Sequence, residues 1–159
     1  MDKLEYIPGD LVMTNGVPFG TSKNVVYRVV ESDPSKTLLK FDNESTVKGT
    51  VRLENYEAKE LGDKGYLSGD CGAWVKDIVP IPLTPEILKK NGWKKKMYCD
   101  WCYYLPIEGN LLYLSKGTGI DGAFSVCVGQ DMSYIASISF VHQLQHLLFG
   151  LGINHEMEV

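Results

Sequence analysis

The stretch IPLTPEILKKNGW, residues 81–93, decides how this chain is organised. Pro80 and Pro82 hold the backbone extended, because the ring fixes φ and the residue before a proline avoids the helical region. Thr84 then offers a hydroxyl acceptor to the orphan amides of a first helical turn. Pro85 suits the first helical position, and Glu86 complements the positive end of the helix dipole. Gly92 ends the helix by taking a left-handed conformation at no steric cost, which lets Trp93 fold back onto Leu88. The spacing predicts a short helix over 85–91, and with it a boundary between an N-terminal domain, 1–80, and a C-terminal one, 81–159.

Upstream of that helix the apolar residues come in short runs separated by turn residues. Strands are predicted at 9–13, 25–31, 37–42, 46–54 and 73–80, with SDPSK (32–36) and DNES (42–45) as tight connections in which Pro fixes φ and Asp or Asn bonds nearby backbone. Five short strands at this spacing suit a small SH3-like β-barrel. The segment 14–24, with Gly16, Pro18 and Gly20, is its longest loop, and loops carry binding more often than strands do.

Downstream, strands are predicted at 97–105, 111–115, 123–129 and 133–138, followed by a helix over 140–151, FVHQLQHLLFGL. The fold class expected is α+β: an N-terminal SH3-like small β-barrel packed with a C-terminal antiparallel sheet and two helices. At about 100° per residue, Phe140, Val141, Leu144, Leu147, Leu148 and Leu151 share one face of the last helix. His142, Gln145, His146 and Phe149 fall opposite. An aromatic ring among hydrogen-bonding groups on a solvent face is the pattern of an interface anchor, so these four are the expected contacts with a protein partner or a second copy of the chain.

With 159 residues, 44% apolar and 23% charged, the composition is that of an ordinary globular protein. The first residues, MDKLEYIPGD, lack the apolar core of a secretion signal, and no apolar run reaches the length of a membrane helix. The expectation is a cytoplasmic protein with Cys71, Cys99, Cys102 and Cys127 as reduced thiols. Net charge is −4, yet the lysines are clustered: five of the six basic residues after position 80 are Lys89, Lys90, Lys94, Lys95 and Lys96. With Trp93 they form a run, KKNGWKKKMYCDW, whose composition suits tracking phosphates and stacking bases. The same lysines near a helix C-terminus are also favoured by its dipole alone. Nucleic-acid binding through residues 89–104 is therefore the alternative to a protein-interaction role.

The remaining motifs carry less chemistry than their letters suggest. GDCGAWV, residues 69–75, looks like the phrase around a protease nucleophile with Cys71 in the serine position, but that arrangement places its histidine upstream, and His142, His146 and His155 all lie downstream. Cys99 and Cys102 form one CxxC whose aromatic flanks predict a strand, where residues three apart point to opposite faces, so no metal or redox centre is expected. His142 and His146 have the spacing of a metal pair, but Gln143 stands where zinc proteases place their glutamate base. Gly117, Gly119 and Gly122 have dinucleotide-loop spacing without a following helix. No enzyme, metal or cofactor is expected.

Two phrases also carry a resemblance. Ile81 to Glu86, IPLTPE, and Val141 to Phe149, VHQLQHLLF, resemble uncharacterised small proteins of prophages and mobile elements in gut anaerobic bacteria, in which a small barrel precedes an IPLTEE-like phrase and the chain closes on a VHQLQ-like helix. His146 and the glycines at 150 and 152 depart from that pattern. The resemblance implies the order barrel, short helix, sheet, helix and a mobile-element setting. It carries over no activity and no site residue.

Overall fold

In the computed structural model, which describes residues 5–39, 46–117 and 122–159, the chain forms two units, Met1–Ile81 and Pro82–Val159. The first contains β1 (Leu11–Thr14), β2 (Tyr27–Leu39), β3 (Thr46–Asn55), β4 (Cys71–Trp74) and β5 (Ile78–Pro80). They make one antiparallel sheet in the order β4-β3-β2-β1-β5. Alternation decides its inner face: Tyr27 and Val29 of β2 and Val51 and Leu53 of β3 are almost completely buried, while Arg28, Arg52 and Glu54 between them point to the opposite face.

Two expectations for this unit are corrected. No ladder joins β4 to β5 among the described residues, so the sheet is open and the closed barrel is not formed. These edge strands are only four and three residues long, and a 3-10 turn, Val75–Asp77, steers the chain from β4 to pair with β1. The second correction is at SDPSK, expected as a connection between strands. It lies inside the single long β2, where the register passes from Asp33↔Thr50 to Thr37↔Lys48. The extra residues bulge outward, which is how a strand tolerates Pro34, and Asp33 Oδ1 accepts from the Ser35 amide and hydroxyl. Opposite the bulge, Gly49 takes φ +80°, and a Cβ there would lie 3.1 Å from Val75 Cγ2. The DNES turn falls outside the described residues.

The loop between β1 and β2 is held by its own polar side chains. Thr14 and Thr21 share a buried hydroxyl bond of 2.9 Å, Asn15 Nδ2 donates to Asp77 Oδ1, and Tyr27 OH accepts from the Ser22 amide while donating to Gly65 O.

The second unit begins with α1 (Pro85–Lys90). Thr84 Oγ1 accepts from the Ile87 amide, Gly92 takes φ +83°, and the Trp93 amide donates to Leu88 O at 3.0 Å. This is the glycine stop read from the sequence, with Leu88 and Trp93 both buried beside it. The sheet follows: β6 (Lys94–Lys95), β7 (Cys102–Ile107), β8 (Asn110–Lys116), β9 (Phe124–Val128) and β10 (Ser133–Ile138), antiparallel in the order β10-β9-β8-β7-β6. Tyr103, Leu112, Leu114, Phe124 and Val126 are buried on one face. The opposite face carries a smaller cluster of Cys102, Tyr113 and Cys127.

The chain then enters α2 (Val141–Gly150), where Gln143 Oε1 accepts from the Ser139 and Phe140 amides in place of a conventional cap. Gly152 at φ +69° and an Ile153 amide bond to Leu148 O stop it in the same way as α1. After the stop the chain folds back. Met157 is buried, and Asn91, at the end of α1, donates to Glu158 O and accepts from the Glu158 amide. Among the described residues no helix is long and apolar enough to cross a membrane.

Candidate functional site

The residues predicted as a partner surface on α2 are not presented together. His142 and Gln145 are 6% and 2% exposed, His146 is half-buried, and only Phe149 projects, its ring edge-on to His155 at 5.1 Å. The expected apolar face is correspondingly displaced: Val141, Leu144 and Leu148 are buried, whereas Leu147 is partly open and Leu151 is exposed. The returning tail accounts for Gln145, while His142 stacks on Phe140 with ring centroids 5.9 Å apart. Gln145 Nε2 donates to His155 O, and Met157 is buried in the same tail. A polar residue facing away from the main core is thereby covered by a second layer that helical periodicity does not reveal.

The lysine–aromatic run is presented differently. Lys94 and Lys95 form β6, the edge strand, paired with Tyr104 and Tyr103. Beyond them the chain turns sharply between Lys96 and Cys102. The Lys96 amide donates to Cys102 O at 2.8 Å, the Cys99 amide to Lys96 O at 3.2 Å, and the Lys116 amide to Trp101 O at 2.8 Å. On this pinned turn Met97 is 76%, Tyr98 99% and Trp101 59% exposed. Tyr98 stands at φ +62°. A bulky side chain in the left-handed region costs about 1–2 kcal/mol, which the bonds of the turn sustain.

All five predicted lysines are exposed, and they are differently engaged. Lys90 Nζ reaches Val159 O at 3.0 Å, and Lys96 Nζ lies 5.3 Å from the Tyr113 ring centroid. Lys95 Nζ contacts Asp100 Oδ1 at 2.6 Å, and that bond raises the lysine's pKa and lowers the carboxyl's. Trp93, counted with the lysines as a stacking residue, is instead buried against α1 and is removed from the site. Two residues take its place: Tyr98 and Trp101. Tyr98 and Trp101 lay within the predicted run, but their exposure depends on a turn where a strand was expected.

That turn also corrects the reading of the CxxC. Cys99 is not on a strand, and its side chain does not diverge from that of Cys102. It packs against the cluster of Cys102, Tyr113 and Cys127. Burial first, and Cys99 second, push the Cys102 thiol up, while Lys96 acts in the opposite sense.

Elsewhere the chemistry is sparse. Cys71 opens β4, donates its thiol to Phe19 O at 3.1 Å, and is pushed up by burial, the reverse of an activated nucleophile. His142 and His146 stand edge to face at 5.6 Å, and among the described residues no group of three His, Cys, Asp or Glu side chains is placed to hold a metal. An open groove in the first unit is lined by Glu54, Asn55, Tyr66, Ser68 and Asp70, and a second, by Pro106, Glu108 and Ile153, lies in the other unit. The glycine at 119 falls outside the described residues. No protein-family model, curated protein or solved structure matches this chain.

Proposed function

We propose that this protein is a non-enzymatic binding module, and that the turn between β6 and β7 is its contact surface, with single-stranded nucleic acid as the ligand whose chemistry it fits. The observation that carries the reading is Tyr98, fully exposed at a strained backbone angle beside exposed Trp101 and a row of lysines. Lysines alone would be explained by edge-strand protection, since charged side chains on an edge discourage pairing with other chains. Edge protection does not account for large aromatic rings held out in water. Rings offer stacking faces to unpaired bases, and Lys94, Lys95 and Lys96 offer charge to the intervening phosphates. The overall charge of −4 argues for a local electrostatic contact and against a broad duplex-binding face.

A second reading keeps a protein partner at Phe149. Its support is that ring's 59% exposure beside exposed Leu151. An accessory role in a mobile element and a cytoplasmic location complete the proposal; the first rests on the two resembling phrases, the second on composition. The strand order of the first unit, with its 3-10 turn before the last strand, supports an SH3-like course for that sheet.

The test is a titration of labelled single-stranded and duplex oligonucleotides at several salt concentrations. Single strands should bind preferentially, with affinity falling as salt rises, and replacing Lys94 and Lys96 by Gln should reduce the log–log slope by about 0.7 for each phosphate that is no longer neutralised. Equal, salt-independent affinity for both forms, or none, would refute the reading.

A further inference from the structure

The turn that presents Tyr98 and Trp101 also brings two thiols together. It consists of two successive tight turns, Met97 and Tyr98 in the first and Asp100 and Trp101 in the second, and Cys99 and Cys102 stand at the ends of the second. The ends of a β-turn lie within about 7 Å at Cα, and a disulfide spans about 4.4–6.8 Å between Cα atoms. Both thiols are free, and Cys99 already packs on the cluster that contains Cys102. The third thiol of that cluster is out of reach. Cys102 pairs with Ser115, and Ser115 with Ser125, so β7 and β9 are two ladder spacings apart at the row of Cys102. That is about 9.5 Å, with Cys127 a further two residues along β9.

We infer that Cys99 and Cys102 form a reversible dithiol–disulfide site that closes by exchange with a small-molecule disulfide of the glutathione class. Cys99 is partly exposed and Cys102 is 3% exposed, so Cys99 attacks and Cys102 resolves. The Cys99 thiolate displaces one thiolate from the small disulfide and forms a mixed disulfide. The Cys102 thiolate then attacks Cys99 Sγ and displaces the second. The two protons lost by the cysteines appear on the two released thiols, and the two electrons lost by the protein pair reduce the small disulfide. The second step is intramolecular, with both sulfurs held at the ends of one turn, so ring closure follows formation of the mixed disulfide. Closure ties Trp101 into a covalent ring. The inference stands on the turn geometry alone and is independent of what the surface binds.

The experiment equilibrates the full chain across a series of reduced-to-oxidised glutathione ratios, quenches with acid, alkylates, and maps peptides by mass spectrometry. The expected result is a Cys99–Cys102 disulfide that grows toward the oxidising end and reopens with reduced glutathione, while Cys71 and Cys127 remain alkylated. Cys102→Ser should retain one glutathione on Cys99, and Cys99→Ser should form no intramolecular bond. The inference fails if both thiols remain alkylated at the oxidising end, if Cys102 is recovered linked to Cys127, or if glutathione accumulates on Cys99 of the unaltered chain without ring closure.

Discussion

The turn between β6 and β7 and the far face of α2 carry similar side chains and end in opposite states. Both combine aromatic rings with polar groups in a way that, in one dimension, reads as a binding surface. In the turn, a short hydrogen-bonded loop holds Tyr98 and Trp101 away from the sheet, and they stay exposed. On α2, the chain beyond Gly152 returns across the helix and covers Gln145, so that one ring of the expected surface remains in solvent. The difference lies in what comes next in the chain, a property that helical periodicity does not encode. Exposure at a candidate site is decided by the nearest element able to cover it.

The contrast is most open to attack at the tail. Met157→Ala should destabilise the protein by about 3 kcal/mol, the usual cost of emptying a buried methionine site, as read from denaturant midpoints. An unchanged midpoint would mean that the tail is not firmly docked, and the contrast between the two regions would weaken. Next is the stop of α1, which leads the chain into β6 and the turn, where Gly92→Val should cost about 2 kcal/mol. A Cβ at Gly92 meets nothing within 4 Å, so that cost is conformational, and a much larger loss would point to a clash instead. The third effect is smaller and opposite in sign. Tyr98→Gly should raise stability by about 1 kcal/mol, since glycine adopts φ +62° freely, while weakening single-strand binding. A destabilised variant would show that Tyr98 is held by packing and that its exposure is incidental.

Much of the fold could be read from local chemistry. Thr84, Pro85 and Gly92 each have one strong physical reason for their place, and α1 starts and stops where they say. Most strands were found where apolar residues alternate, but the one expected over 73–80 is split by the 3-10 turn Val75–Asp77, and the one expected over 97–105 begins only at Cys102. What local chemistry could not reach was long-range. A bulge let β2 run through SDPSK, because a strand partner can compensate for a proline that sequence reads as a break. Short edge strands left the first sheet open. Aromatic flanks made the CxxC look like strand, although the left-handed Tyr98 and the bond from Lys96 to Cys102 close a turn there. At the site, the lysine run was legible as composition. Which rings it carries was not, because Trp93 is consumed by the helix stop while Trp101 is spared.

Whether the contact surface is the turn or α2 can be decided in one binding assay. Trp101→Ala and Phe149→Ala should be titrated side by side with the unaltered chain against the same labelled single strand at low salt, after confirming that each variant is folded. Loss of one stacking platform is worth about 1–3 kcal/mol, so Trp101→Ala should weaken binding roughly tenfold or more, whereas Phe149→Ala should bind as the unaltered chain does. Full affinity in Trp101→Ala, or a loss confined to Phe149→Ala, would contradict the assignment of the surface to the turn.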